Sequence, residues 1–589
     1  MSAVTPEAQA DLVASSAAEP AVAPAGSPFR TAEDRSASRA LPLALGLVTF
    51  AALWATQASV GFVRDEGYYF TAAQHHEAWL ALLFRAPLEA LSAQATERHW
   101  GYNAEHPGLT KLCFAASHYL FTTKLGWLPD AVSWRLPAFG FAGLLAYWLS
   151  VLGAQRSRAA SVLAPLLFFC AERPFFYSHL ACFDIPIAAL HVGVGVAWAR
   201  ALGLIGGAPA SRRDEVRRGL WLAFLYGLAL ATKHNAWLFP PVLIAHALLC
   251  PRELRGRGLR ALPWLLTSPA ILFAAWPLLW HNAYEHLRFW VEFHLKHVHY
   301  AWYFLGSLLR QPPFPVHYPE TLLALTLPIT TAALLAAALV RQLVDFARRN
   351  LVPLRLLELG FAVAALLPFM LTTTPIFGGT KHWLSAVAFL APEAAGILCL
   401  IAASAAAAGR GSPAALRPAA GAAEAPARRL AWLTDRRALA LGAVAALAPG
   451  LYQIVHTHPY GTSAYGELSG GIAGAASLGM QRQFWSNNVT AVLPWLNEHV
   501  PRGGRVWFHE VNHESYRTYQ LMGMLRADIQ YAAGPADSQY AAIQWHREFR
   551  NAEYEVWNHY GTQKASTGLW LDETPQVVVY VRKGMPGER

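Results

Sequence analysis

The sequence predicts a polytopic, mostly α-helical membrane bundle of about eleven spans with a small soluble α/β domain at its carboxyl end. Three observations carry that prediction. Hydrophobic residues make up 54% of the 589 and charged residues only 14%, a balance that does not suit a soluble chain of this length. Apolar runs long enough to cross about 30 Å of hydrocarbon recur along the chain. The formal net charge is +10, but the basic residues fall in small clusters between apolar runs. That is the pattern of membrane topology signals, not of a nucleic-acid patch.

Residues 1–40 form an Ala/Pro/Ser-rich leader, expected to be disordered and cytoplasmic. The apolar run at 41–60 lacks a small-residue cleavage site ahead of a soluble domain and reads as a retained first span. Further spans are expected near 136–154, 159–177, 185–202, 219–233, 236–250, 262–281, 320–340, 356–374, 384–404 and 438–455. With the amino terminus inside, the arginines at 30–39, 156–158, 200–218, 252–260, 341–355 and 410–437 share one side, as the positive-inside rule requires. That holds only if 109–127 does not cross, so it is expected as an amphipathic helix at the outer interface with Lys111, His118 and Lys124 as its polar members.

The transmembrane part then spans 41–404, with an outer loop at 61–134, and 405–437 is a low-complexity cytoplasmic linker. The last span leaves 456–589 outside, with strands expected at 505–511, 527–532 and 576–581 and helices at 489–500 and 514–525. The five cysteines, Cys113, Cys170, Cys182, Cys250 and Cys399, form no CxxC and read as packing thiols. The NVT sequon at Asn488 matters only in a host that N-glycosylates.

Candidate chemistry gathers on the outer side. Asp65 and Glu66 follow the first span, where adjacent carboxylates are costly unless solvated or paired. They are either a solvated loop start or a general base or metal ligand. Asp184 opens an apolar helix on the same face, as a cap or as a second functional carboxylate. Lys233, in ALATKHN, and Lys381, in GGTKHW, are outer lysines against the positive-inside trend. They snorkel to headgroups or hold an anionic lipid phosphate. His294, His297 and His299 near Glu292 are spaced for a divalent ion, but no specific ligand pattern such as HExxH calls for one. No metal or other cofactor is therefore assigned.

Five pieces occur in one order: RDEGYY, NAEHPGLTK, RLPAFGFAGLL, CFDIP and ALATKHN. Together they resemble the GT-C membrane glycosyltransferases of the protein O-mannosyltransferase and aminoarabinose transferase superfamily, over about residues 41–404. The tail resembles bacterial members through HPYGTSAYGELSGGIAGAASLG, FWSNN and PWLNEHVPRGGRVWF. The resemblance implies an inverting transfer from a polyprenyl-phosphate sugar to a protein or glycolipid acceptor on the outer face. It implies a bacterial plasma-membrane protein whose carboxyl-terminal domain is periplasmic.

On that analogy Asp65 is the catalytic aspartate that deprotonates or orients the acceptor hydroxyl. Glu66 supports it, and Asp184 holds the acceptor or a neighbouring loop. Lys233 and Lys381 neutralise the departing phosphate, and His106 and Arg135 shape the cavity. The sequence departs from the family pattern at Gly108, where a second proline is expected, and at His234 after the lysine. Two other classes remain open: a transporter or lipid flippase, which would place its polar groups at the midplane of repeated halves, and a membrane scaffold with an outer binding domain.

Overall fold

A computed structural model describes residues 32–409 and 425–589. The described residues up to Leu41 belong to one unit and Pro42–Arg589 to a second, which holds the bundle, the soluble domain and the site. The first 31 residues of the leader and 410–424 of the linker, with the arginines expected there, lie outside the described residues.

The chain is that of an integral membrane protein, mostly helical with a small α/β domain at its carboxyl end. Among the described residues eight helices are long and apolar enough to cross a membrane, and nine if the pair Arg158–Phe169 and Glu172–Ser178, bent by 81°, counts as one span. The bend has a local cause: the ring of Pro174 cannot coexist with a helical carbonyl four residues earlier, at Cys170. These nine match nine of the eleven expected spans. The other two fall on Arg212–Leu230, whose first two turns are RRDEVRR, and on Phe239–Leu249, 11 residues long. At 1.5 Å per residue the latter covers only about half the hydrocarbon thickness.

Asp184–Leu202 is apolar all round and sits at the bundle centre, with 94% of its span buried against 17% for Arg436–Thr457 at the edge. At the end of the bundle away from Asp184, Glu393 is bonded by Arg156, Arg341 and Arg355, and Arg156 also binds Glu358. Three of the arginines expected as topology signals thus also neutralise acids inside the bundle, where an unpaired charge would be costly.

The outer loop is itself folded, through helices Arg64–Arg85, Ala93–Trp100 and Leu109–His118 and a π-turn at Tyr119–Lys124. The segment 109–127 is helical over Leu109–His118 and Tyr119–Lys124, but its polar members do not all face outward. Lys111 is fully buried, and its ammonium donates to the carbonyls of Asn103 (2.7 Å) and His106 (3.0 Å). Burial pushes it down to about 7.

His118 sits between Glu77 and Asp130, the latter at 2.9 Å. Burial lowers its pKa, but the two carboxylates outweigh burial and raise it. A raised folded value stabilises the fold below the unfolded value of about 6.5 and fades as pH rises through the folded one. His118→Gln is therefore expected to lower Tm at pH 6, on the order of a degree or two, and far less at pH 9. Equal losses at both would contradict the ion pairing.

Among the outer segments, strands β1 (Trp302–Phe304) and β2 (Ser307–Leu309) form a hairpin turned at Leu305 and Gly306, both with positive φ. The soluble domain has a five-stranded sheet of β3 (Arg505–Phe508), β4 (Gln530–Tyr531), β5 (Tyr540–Gln544), β6 (Thr567–Leu571) and β7 (Thr574–Val581). Their order is β4-β3-β5-β7-β6, with β3 parallel to both neighbours and β7 antiparallel to both of its own.

This domain grips the loop that carries Asp65. Tyr519 accepts from Phe62 N (2.9 Å) and donates to Phe62 O (3.1 Å). Ser515 Oγ donates to Val63 O (3.1 Å), Asn512 Nδ2 to Arg64 O (3.1 Å), and Arg64 N to Trp485 O (3.0 Å). The approach is close enough to require Gly67, where a β-carbon would lie 2.7 Å from Ser515 N.

Candidate active site

Beneath that grip lies a cavity of about 640 Å³, walled by both the loops at one end of the bundle and the soluble domain. Asp65, Asp184, Lys233, Lys381 and His106 all line it. Asp65 is the second residue of helix Arg64–Arg85, near the positive end of the helix dipole. Its Oδ2 accepts from Lys381 Nζ at 3.1 Å, and the same ammonium lies 3.9 Å from the centre of the Trp485 ring. The Asp65 side chain keeps 27% exposure, against 7% for Asp184 and none for Glu66. It is the most open of the three carboxylates.

Asp184 begins its helix without capping it through the side chain. Its Oδ1 accepts from Lys233 Nζ at 2.7 Å instead. The cavity thus holds two carboxylate–ammonium pairs.

Glu66 and Arg135 stand elsewhere. Both are buried, and Arg135 donates from Nε to Glu66 Oε1 and from Nη2 to Oε2, each at 2.7 Å. Ala181 N (2.9 Å) and Val63 N (3.2 Å) donate to the same carboxylate, and Arg135 also holds the carbonyls of Val60 (2.9 Å) and Gly61 (2.8 Å). Neither side chain lines the cavity. The pair fixes the turn before Asp65 and ties it to the segment before Asp184.

The rim at 103–108 is held by Lys111, and Leu109 N donates to Ala231 O (3.1 Å), next to the Lys233 turn. Gly108 fits where another residue would not: a β-carbon there would come within 2.7 Å of the Trp100 ring and 2.8 Å of the Ala275 carbonyl. Of nine non-glycine residues with positive φ among the described residues, four line the cavity: Asn103, Trp485, Ser486 and Glu510. Such backbone strain collects where structure is spent on function.

Aromatic and imidazole side chains complete the wall. Tyr69 stacks on Phe183 (4.1 Å between ring centres), and burial, then Asp65 and Asp184, raise its hydroxyl well above the usual tyrosine value. His106 and His234 are pushed well below the usual histidine value, and His294 to about 4, by burial first and by neighbouring cationic groups such as Lys233. At neutral pH these imidazoles are uncharged. His234 and His294 pack with ring centres 3.7 Å apart.

His294, His297 and His299 do not converge on a point: each bonds a different backbone carbonyl, of Glu105, Val298 and Leu309. Among the described residues no group of three or more His, Cys, Asp or Glu could hold a metal ion. FWSNN, quoted above for its resemblance, supplies Trp485 and Ser486, but Gln481, Gln483, Gln544 and Glu548 carry no local signal.

No family model matches the chain, and no curated protein matches it significantly. Among solved structures the chain is similar to ArnT from Cupriavidus metallidurans bound to undecaprenyl phosphate, at 14% identity and a TM-score of 0.49, covering 92% of this chain and 98% of that one. It is also similar to the archaeal oligosaccharyltransferase AglB from Archaeoglobus fulgidus in complex with an inhibitory peptide and a dolichol-phosphate, at 11% identity and a TM-score of 0.48, covering 90% of this chain and 72% of that one.

Proposed function

We propose that the protein is a membrane glycosyltransferase that moves a sugar from a polyprenyl-phosphate carrier to an acceptor hydroxyl on the outer side, with inversion. The observation that carries this reading is the pair of carboxylate–lysine contacts, Asp65 with Lys381 and Asp184 with Lys233, on one cavity at one end of an apolar bundle.

Asp65 takes the proton of the acceptor hydroxyl as its oxygen attacks the anomeric carbon from the face opposite the phosphate. The bond from that carbon to the phosphate oxygen breaks, and the electron pair leaves with the lipid phosphate. The growing phosphate charge is met by Lys381 and Lys233, fixed before the reaction and so costing no reorganisation during it. Asp184 keeps Lys233 in place, and uncharged His106, His234 and His294 supply polar walls. The soluble domain positions the Asp65 loop. On this reading the cavity faces the periplasm of a bacterial inner membrane.

Purified protein given a polyprenyl-phosphate hexose and hydroxyl acceptors should release polyprenyl phosphate, and Lys381→Met should slow release by about 10²-fold or more. An unchanged rate in that variant would remove the lysine from the mechanism.

A further inference from the structure

The wall supplied by the soluble domain ends in oxygen atoms that lack partners. Gln483 and Gln544 are 2% and 0% exposed and line the cavity. The Oε1 atom of each is buried without a hydrogen-bond partner, as is Oε2 of Glu548 on the same wall. Buried acceptors are rarely left unpaired in native proteins unless something binds there. The Gln544 amide is oriented by its Nε2, which donates to Ser486 O at 3.5 Å.

Neighbouring Gln481 is spoken for. Its Oε1 accepts from Tyr303 N (2.9 Å) and its Nε2 donates to Gln483 O (3.3 Å), which ties the hairpin to this wall. The wall also has an aromatic side: Phe484 lies 5.0 Å from Trp485 and 5.5 Å from Trp302, ring centre to ring centre. Trp302 Nε1, a donor, is likewise buried and unpartnered. Trp485 carries the Lys381 ammonium on its face, so this surface adjoins the Asp65 and Lys381 pair.

We infer that Gln483, Gln544 and Glu548, with Trp302 and Trp485, seat the transferred sugar, and that this sugar is an uncharged polyol such as a neutral hexose or pentose. The inference rests on the glycosyltransferase reading and names the substrate class of its site. Three acceptors and one donor suit hydroxyl groups, which both give and take hydrogen bonds. Aromatic faces suit the apolar C–H faces of a sugar ring. A hexuronic acid would set its carboxylate against the amide oxygens and Glu548 of this wall, since the nearby Arg64 is already paired with Glu510 at 3.2 Å. Burial, then Glu510, raises Glu548 to about 7.

The test measures affinities of the full chain in detergent for polyprenyl phosphate, polyprenyl-phosphate hexose and polyprenyl-phosphate hexuronic acid. Wild type should bind the hexose carrier at least about tenfold tighter than the bare carrier and the hexuronate carrier no tighter than the bare one. Gln483→Met and Gln544→Met should each lose most of the hexose increment and keep the affinity for bare carrier, which also reports that they fold. A hexose increment intact in both variants overturns the inference and leaves the glycosyltransferase reading standing. So does a hexuronate increment equal to the hexose one, a comparison on wild type that needs no variant. Failure of wild type to bind bare carrier or either sugar carrier overturns both.

Discussion

Replacing Asp65 by asparagine is expected to cut sugar transfer by about 10²–10⁴-fold with little change in thermal stability. The exchange keeps the shape of the side chain and an oxygen for Lys381, so what it removes is the capacity to take a proton and the charge that balances that lysine. Asp65 is partly open to the cavity, and Lys381, its ion-pair partner, also feels the charge of Asp184, so the cost to folding should be small beside that of a fully buried pair. The loop around it is held by Tyr519, Ser515 and Asn512 through backbone atoms of Phe62, Val63 and Arg64, which the substitution does not touch. Single-turnover rates with the hexose carrier, beside an unfolding curve, measure both halves. A folded variant with full activity would end the role of Asp65 as base.

Glu66→Gln should do the opposite, destabilising the protein by about 3–5 kcal/mol. It neutralises one member of a pair that is buried on both sides and leaves the Arg135 guanidinium, 2% exposed, without a counter-charge. The cost is that of a stranded charge rather than the worth of the contact. Replacing both members with apolar residues of similar volume should therefore recover part of the loss. Recovery should stop short of wild type, because Arg135 also satisfies the carbonyls of Val60 and Gly61. Unfolding temperatures of the single and double variants decide it. A Glu66→Gln protein as stable as wild type but inactive would instead place Glu66 among groups that touch substrate.

Adjacent acids in RDEGYY therefore have unlike surroundings, and nothing local in the sequence tells them apart. Separation comes from the helix they begin: successive residues point about 100° apart, so Asp65 faces the cavity while Glu66 faces Arg135, 69 positions along the chain. The spans were legible because hydrocarbon thickness imposes a length on apolar runs. The two near 219–233 and 236–250 fall on helices that are charged at the start or short, yet Leu220, Trp221, Phe224, Ile244, Leu248 and Leu249 on them are exposed.

In the soluble domain β3 and β4 lie within expected strands and β7 contains the third, but β5 is buried at every position and shows no alternation to read. Lys111 fits an amphipathic surface helix by pattern, yet it points at carbonyls of its own loop, a choice made by tertiary packing. Asp65, Asp184, Lys233 and Lys381 were legible as a group because charges just outside apolar runs are conspicuous. The glutamines of the far wall, chemically ordinary and distant in sequence, were not.

One measurement separates sugar transfer from passage of an intact lipid. The protein is reconstituted in sealed vesicles with a polyprenyl-phosphate hexose whose sugar and phosphate carry different isotopes, and acceptor hydroxyls are supplied outside. Transfer at this cavity requires the two labels to part, the sugar appearing on the acceptor and the phosphate staying with the lipid, in wild type and not in Asp65→Asn. Labels that stay together and cross the bilayer, equally in both proteins, would contradict transfer and make the cavity a station on a transport path.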